Sequence, residues 1–105
     1  MDELSKLIKV WARERNLDTA DPYKQFLKLS EEVGELAEGM AKSNDDVIVD
    51  SIGDIYVVLE VLSLQLGLSL LDCVEHSYNE IKDRKGKMVN GVFVKESDLN
   101  EPTIP

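Results

Sequence analysis

The chain of 105 residues holds one cysteine, one histidine and no apolar run long enough to span a bilayer. A lone Cys73 excludes an internal disulfide. The single His76, with Cys73 three positions before it, excludes the paired Glu-x-x-His motifs of a di-iron carboxylate bundle. The most apolar stretch, 55–66, is broken by Glu60, Ser63 and Gln65 and falls short of the roughly 20 residues a transmembrane helix needs. The opening "MDELSKLIKVWARERN" has neither the apolar centre nor the cleavage site of a secretory signal. A reducing, cytoplasmic setting without a membrane partner is the expectation. Positive charge is also scarce, 12 Lys and Arg against 21 Asp and Glu for a formal net charge of −9. That balance opposes binding to nucleic acid.

What remains is enough for one domain, 1–105, with 43% hydrophobic residues. Leu4, Leu7, Ile8 and Trp11 recur at helical spacing and predict a first amphipathic helix, with Trp11 expected on its core side, the alternative being that Trp11 and Gln25 stack on or hydrogen-bond a base. Asp21 and Pro22 supply a cap and a first-turn proline for a second helix, whose apolar stripe is Phe26, Leu29, Val33, Leu36 and Met40. After "KSNDD", with Asn44 or Asp45 as cap, a third helix ends at Gly67. Its stretch "IYVVLEVLSLQL" is apolar on most sides and implies surrounding protein. Ser69 and Asp72 open a fourth helix that runs to about Arg84. Asn90-Gly91, between "KMV" and "VFV", then signals a tight hairpin. The expected layout is helical over 3–85, with hairpin and loose tail over 86–105.

Glu31, Glu32, Glu35 and Glu38 crowd the segment "SEEVGELAEG". Like charges at these spacings weaken an isolated helix by roughly 0.2–0.5 kcal/mol per pair. Either they form a solvated face or something neutralises them. The short loop near 43–45 imposes antiparallel pairing of the second and third helices. At 1.5 Å per residue, Glu35 and Asp54 then lie about 14 and 15 Å from the turn, with Glu32 and Asp50 straddling that level. Asp50 and Asp54, four apart, share a face. Glu32, Glu35, Asp50 and Asp54 are therefore expected to converge. Such carboxylates raise one another's pKa or hold a cation, and an all-oxygen set suits Mg²⁺, with Mn²⁺ as substitute. Lys28, one turn before Glu32, is placed either to neutralise the acids or to meet a phosphate.

"KLSEEVGELAEG" followed by "DSIGDIYVVL" resembles the MazG-type nucleoside triphosphate pyrophosphohydrolases of the all-α NTP pyrophosphatase superfamily, over about Trp11 to Lys87. That family's Glu-Glu-x-x-Glu segment and later Glu-x-x-Asp segment are matched in type and order by Glu31, Glu32, Glu35 and Asp54. One position departs: three residues before Asp54 stands Ser51, not Glu, and Asp50 is the candidate replacement ligand. The resemblance implies an all-α, four-helix MazG-like bundle with a short C-terminal β-hairpin, completed by oligomerisation as a homodimer or homotetramer. It implies Mg²⁺-dependent conversion of a nucleoside or deoxynucleoside triphosphate to the monophosphate and pyrophosphate, in nucleotide pool sanitation or control. Glu32, Glu35, Asp50 and Asp54 would be metal ligands, Glu32 or Glu35 the proton acceptor, and Glu31 a supporting acid behind them. A triphosphate also needs cations, and "YNEIKDRKGK" offers them. Asn79 and Lys82 match residues that contact sugar and phosphate in related pyrophosphohydrolases, with Lys85 and Lys28 as further candidates. The competing expectation is a non-catalytic acidic interaction protein with a degraded nucleotide and metal site, for which Ser51 is the best support.

Overall fold

A computed structural model describes residues 2–99. Among them 74% are helical, in five α-helices, and two strands form one small antiparallel sheet. The chain divides into two compact units, Met1–Cys73 and Val74–Pro105.

The first unit begins with α1 (Asp2–Glu14), followed by a 3₁₀ turn at Leu17–Thr19. Next come α2 (Pro22–Ala41) and α3 (Asp45–Gln65). The side chain of Asp21 accepts a hydrogen bond from the Tyr23 N–H, and Pro22 occupies the first turn, where its missing N–H costs nothing. Asn44 caps α3 by accepting from the Val47 N–H at 3.3 Å. Between the two helices the chain reverses over Lys42 and Ser43, closed by the Asn44 N–H donating to the Gly39 carbonyl at 2.9 Å. Gly39 is what lets the helices approach: a Cβ there would meet Val47 Cγ1 at 2.8 Å. The α2–α3 pair is the most extensive packing in the unit.

Farther from the turn, Gln25 Nε2 donates to the Val58 carbonyl at 3.4 Å, and Pro22, Tyr23 and Phe26 share a groove with Leu62 and Leu66. These contacts pin the antiparallel register. Lys9 meets Glu60, and Gln65 Nε2 donates to the Leu17 carbonyl at 2.9 Å, so α1 runs along α3 in the same sense. The core of the described residues is Ala12, Val58, Val61 and Leu70.

Several faces differ from the sequence expectation. α1 turns Ser5 and Ala12 inward, because small side chains allow it close to α3, and leaves Leu4, Leu7 and Trp11 exposed. Trp11 is therefore not a core residue; the Arg15 guanidinium lies over its ring at 4.6 Å. On α2, Leu29 and Leu36 are half-buried, whereas Phe26, Val33 and Met40 face out. The third helix is enclosed only in part, since Val49 and Ile52 are exposed.

α4 (Leu70–Ile81) opens with the Ser69 hydroxyl accepting from the Asp72 N–H at 3.3 Å, and the division between the two units falls within it. It stops at Ile81, short of the expected Arg84, so Lys82 and Lys85 follow the helix instead of belonging to it. In the second unit β1 (Gly86–Val89) pairs with β2 (Val92–Lys95), Met88 opposite Phe93 and Val89 opposite Val92. Asn90 (φ 51°) and Gly91 (φ 80°) make the two-residue turn, both in the left-handed region this hairpin requires. Part of the expected loose tail forms a short helix, α5 (Glu96–Leu99), against both strands. Residues 100–105 of that tail lie outside the described residues. No single described helix is long and apolar enough to cross a membrane.

Candidate active site

The acids of α2 split by helical rotation. Glu31, Glu35 and Glu38 are exposed, whereas Glu32 is turned toward α3 and is only 7% exposed. Its Oε1 lies 3.8 Å from Lys28 Nζ one turn earlier, and its Oε2 is buried without a hydrogen-bond partner. Burial pushes the Glu32 carboxyl above its ordinary value, the negative charges of Glu35 and Asp54 push it further, and Lys28 offsets part of this. Lys28 is thus the cation beside Glu32, and the net shift of that carboxyl is still upward. Glu38 is held below the ordinary value by Lys42, whose Nζ is 2.6 Å from its Oε1.

The contacts that pin the register offset the pairing slightly from the count along the chain. With Gly39 beside Val47 and Ile48, and Phe26 beside Leu62, Asp54 comes level with Glu32. Glu35 comes level with Ser51. A cleft of about 670 Å³ next to the α2–α3 turn has Glu35, Glu38, Asp50 and Ser51 in its lining. Ser51 is 2% exposed and occupies the inward position, while Asp50, one residue earlier, is exposed. The structure therefore brings Glu32 under the charge of Glu35 and Asp54, and places Asp50 beside Glu35 at the cleft.

The donor set is entirely oxygen, which fits a hard divalent cation, and the partnerless Glu32 oxygen is an open acceptor for one. Among the described residues, no three His, Cys, Asp or Glu side chains come close enough to form a ready-made ligand group. Glu35 already approaches Glu32, and its carboxyl helps raise the Glu32 pKa, whereas Asp50 is exposed and would have to swing inward.

The remaining candidates lie in the second unit. Asn79 is exposed on the last turns of α4, and Lys82 and Lys85 are exposed beyond its end. His76 pairs with Glu80 at 3.1 Å on the surface of the same helix.

Sequence reading missed the most buried acid. Glu60 is 1% exposed, both its oxygens lack a hydrogen-bond partner, and Lys9 Nζ lies 3.7 Å from its Oε1. The available signal was an acid inside the most apolar segment, where a buried charge must be paired.

No family model matches the chain. No solved structure gives a significant match. A stretch of 66 residues, 62% of this chain, is 52% identical to the "uncharacterized 18.2 kDa protein in rep-hol intergenic region" of Haemophilus phage HP1 (strain HP1c1). The match spans 40% of that relative's length, so the chain is similar to less than half of it.

Proposed function

We propose that this protein is a MazG-like, Mg²⁺-dependent nucleoside triphosphate pyrophosphohydrolase that cleaves between the α and β phosphates and acts in nucleotide pool sanitation or control. The observation that carries the reading is Glu32, an almost fully buried carboxylate with a free acceptor oxygen, under the charge of two further acids from facing helices. A solvated acidic face has no need to bury one member. Glu32, Glu35 and Asp54 would hold the metal, with Asp50 in place of the family's glutamate and Glu31 behind them. The chemistry supplied by Mg²⁺ held there would be polarisation of phosphoryl oxygens and a lowered pKa for a coordinated water. In this reading Glu35, exposed at the cleft, would accept a proton from an incoming water, with Glu32 as the alternative acceptor. The assignment of Asn79, Lys82 and Lys85 to sugar and phosphate rests on the family resemblance. The reading includes self-association as a homodimer or homotetramer in the cytoplasm.

A specific observation favours a second reading, the non-catalytic interaction protein. Ser51, not a carboxylate, fills the buried inward position level with Glu35. Purified protein incubated with ribo- and deoxynucleoside triphosphates, with Mg²⁺ and with chelator, separates the two. Metal-dependent monophosphate plus pyrophosphate is expected. A folded protein with full metal and no turnover across the panel would favour the second reading.

A further inference from the structure

The stripe that α1 turns away from the core is the wall of a groove. Leu4, Leu7, Ile8 and Trp11 line it together with Val57 of α3, around a volume of about 300 Å³. Trp11 is 43% exposed. The Arg15 guanidinium, held to the Trp11 carbonyl at 3.0 Å, covers one face of the indole. Two placements tie this groove to the acids. Asp50, Asp54 and Val57 stand at i, i+4 and i+7, so the α3 wall of the groove continues the helix face that carries the candidate ligands. Lys9 meets Glu60 and Gln65 meets the Leu17 carbonyl, which sets the groove on the far side of Asp54 from the cleft at the α2–α3 turn. By that alignment Trp11 lies about 12 Å beyond Asp54 along α3, with Leu4 and Leu7 at levels between them.

We propose that the groove takes the base of a nucleotide whose phosphates lie at the acids, and that the base stacks on the Trp11 face opposite Arg15. The proposal rests on the pyrophosphohydrolase reading and adds the base selectivity of that site. An α-phosphate beside Asp54 puts the ribose along Leu4 and Leu7 and the base at Trp11, with the remaining phosphates directed toward the cleft. Apart from the indole N–H, the lining side chains carry no hydrogen-bonding group. Gln25, the other candidate for a base, does not line the groove, and its amide nitrogen donates to the Val58 carbonyl. Stacking without recognition of the base edge tolerates every base, because each has a π-face. The substrate class is therefore nucleoside triphosphates of broad base identity, held in order of stacking strength, purines above pyrimidines.

Trp11 is the sole tryptophan of the chain, so its fluorescence reads the groove directly. The probes are the α,β-methylene analogues of ATP and CTP, which the proposed reaction cannot cleave, and tripolyphosphate, which has no base. With Mg²⁺ present, the ATP analogue is expected to quench Trp11 at lower concentration than the CTP analogue, and tripolyphosphate to leave the emission unchanged. In calorimetry Trp11→Ala should weaken both nucleotide analogues on the order of tenfold and spare tripolyphosphate, while Trp11→Phe keeps most of the affinity. Quenching by the analogues in a protein that turns over no triphosphate would remove the hydrolase and keep the groove. Turnover with unchanged emission and full analogue affinity in Trp11→Ala would overturn the groove alone. Equal quenching by tripolyphosphate, or no binding of either analogue, would also overturn it. So would an emission shift that follows protein concentration without nucleotide, since a second copy would then cover the indole.

Discussion

Glu32 and Glu60 are both buried carboxylates with a lysine at nearly equal distance, 3.8 Å for Lys28 and 3.7 Å for Lys9. Their company differs. Glu32 stands among other acids, and the charges of Glu35 and Asp54 act on it in the same unfavourable direction as burial. Lys28 cannot compensate all three effects, and a cation would. Glu60 lies in the apolar half of α3 beneath α1, with Lys9 bridging to it from that helix. Burial alone therefore does not mark a functional acid. Excess negative charge that one lysine cannot balance marks it better, and on that criterion Glu32 belongs to the proposed site and Glu60 to the scaffold.

The largest expected effect breaks the comparison at the Glu32 side. Glu35→Gln and Asp54→Asn should each reduce triphosphate turnover by on the order of 10³-fold while circular dichroism shows the helices intact. Near-normal rates in either variant would remove the proposed site.

At Glu60 the expected effects are on stability and opposite in sign for the two partners. Lys9→Ala should destabilise by about 1–3 kcal/mol, since it leaves the buried carboxylate uncompensated. Glu60→Leu should be neutral or stabilising by about 1–4 kcal/mol, since it removes the charge as well. Urea unfolding of both variants reads the signs directly, and equal destabilisation would mean that Glu60 is more than a scaffold acid.

Asp50→Asn sharpens the proposed site at its fourth ligand. Asp50 is exposed where Ser51 is buried, so the expected change is modest, about tenfold in the Mg²⁺ concentration for half-maximal turnover. Unchanged metal dependence would reduce the protein ligands to three or call for another fourth.

The smallest effect is on pH dependence. Folded Glu32 keeps its proton to higher pH than the ordinary 4.5, so its contribution to stability is complete below 4.5 and is lost as pH rises through the raised folded value. Glu32→Gln abolishes that loss. The variant should match wild type near about pH 4 and melt higher near about pH 7, with added Mg²⁺ narrowing the gap by stabilising wild type alone. A gap independent of pH would contradict the charge account.

Elements with local chemistry at their ends were legible in the sequence: Asp21-Pro22 and Asn44 start their helices, and Asn90-Gly91 turns the hairpin. Rotation about a helix axis was not. The apolar stripe of α1 could equally have faced α3, but close approach near Glu60 favoured the small Ser5 and Ala12. On α2 the expected stripe proved to be two, Leu29 and Leu36 toward α3 and Phe26, Val33 and Met40 away from it. Periodicity alone does not separate an apolar residue that contacts its own chain from one left at the surface. For the acids, spacing and antiparallel pairing set which residues of α2 and α3 lie near the same level, but among the described residues no three of the expected four carboxylates come together as a ligand group. What spacing missed was the register fixed by Gly39, which sets Asp54 level with Glu32 and leaves Ser51 level with Glu35. α4 ended early because a run of apolar spacing stops at Ile81, and the cations after it do not extend a helix by themselves.

The most direct test is Mn²⁺ binding followed by electron paramagnetic resonance in four proteins: wild type, Glu35→Gln, Asp54→Asn and Glu60→Gln. The account predicts that wild type and Glu60→Gln bind the ion alike, and that Glu35→Gln and Asp54→Asn lose it. Absence of binding in wild type, or undiminished binding in Asp54→Asn, would contradict the claim that the acids of α2 and α3 form a cation site.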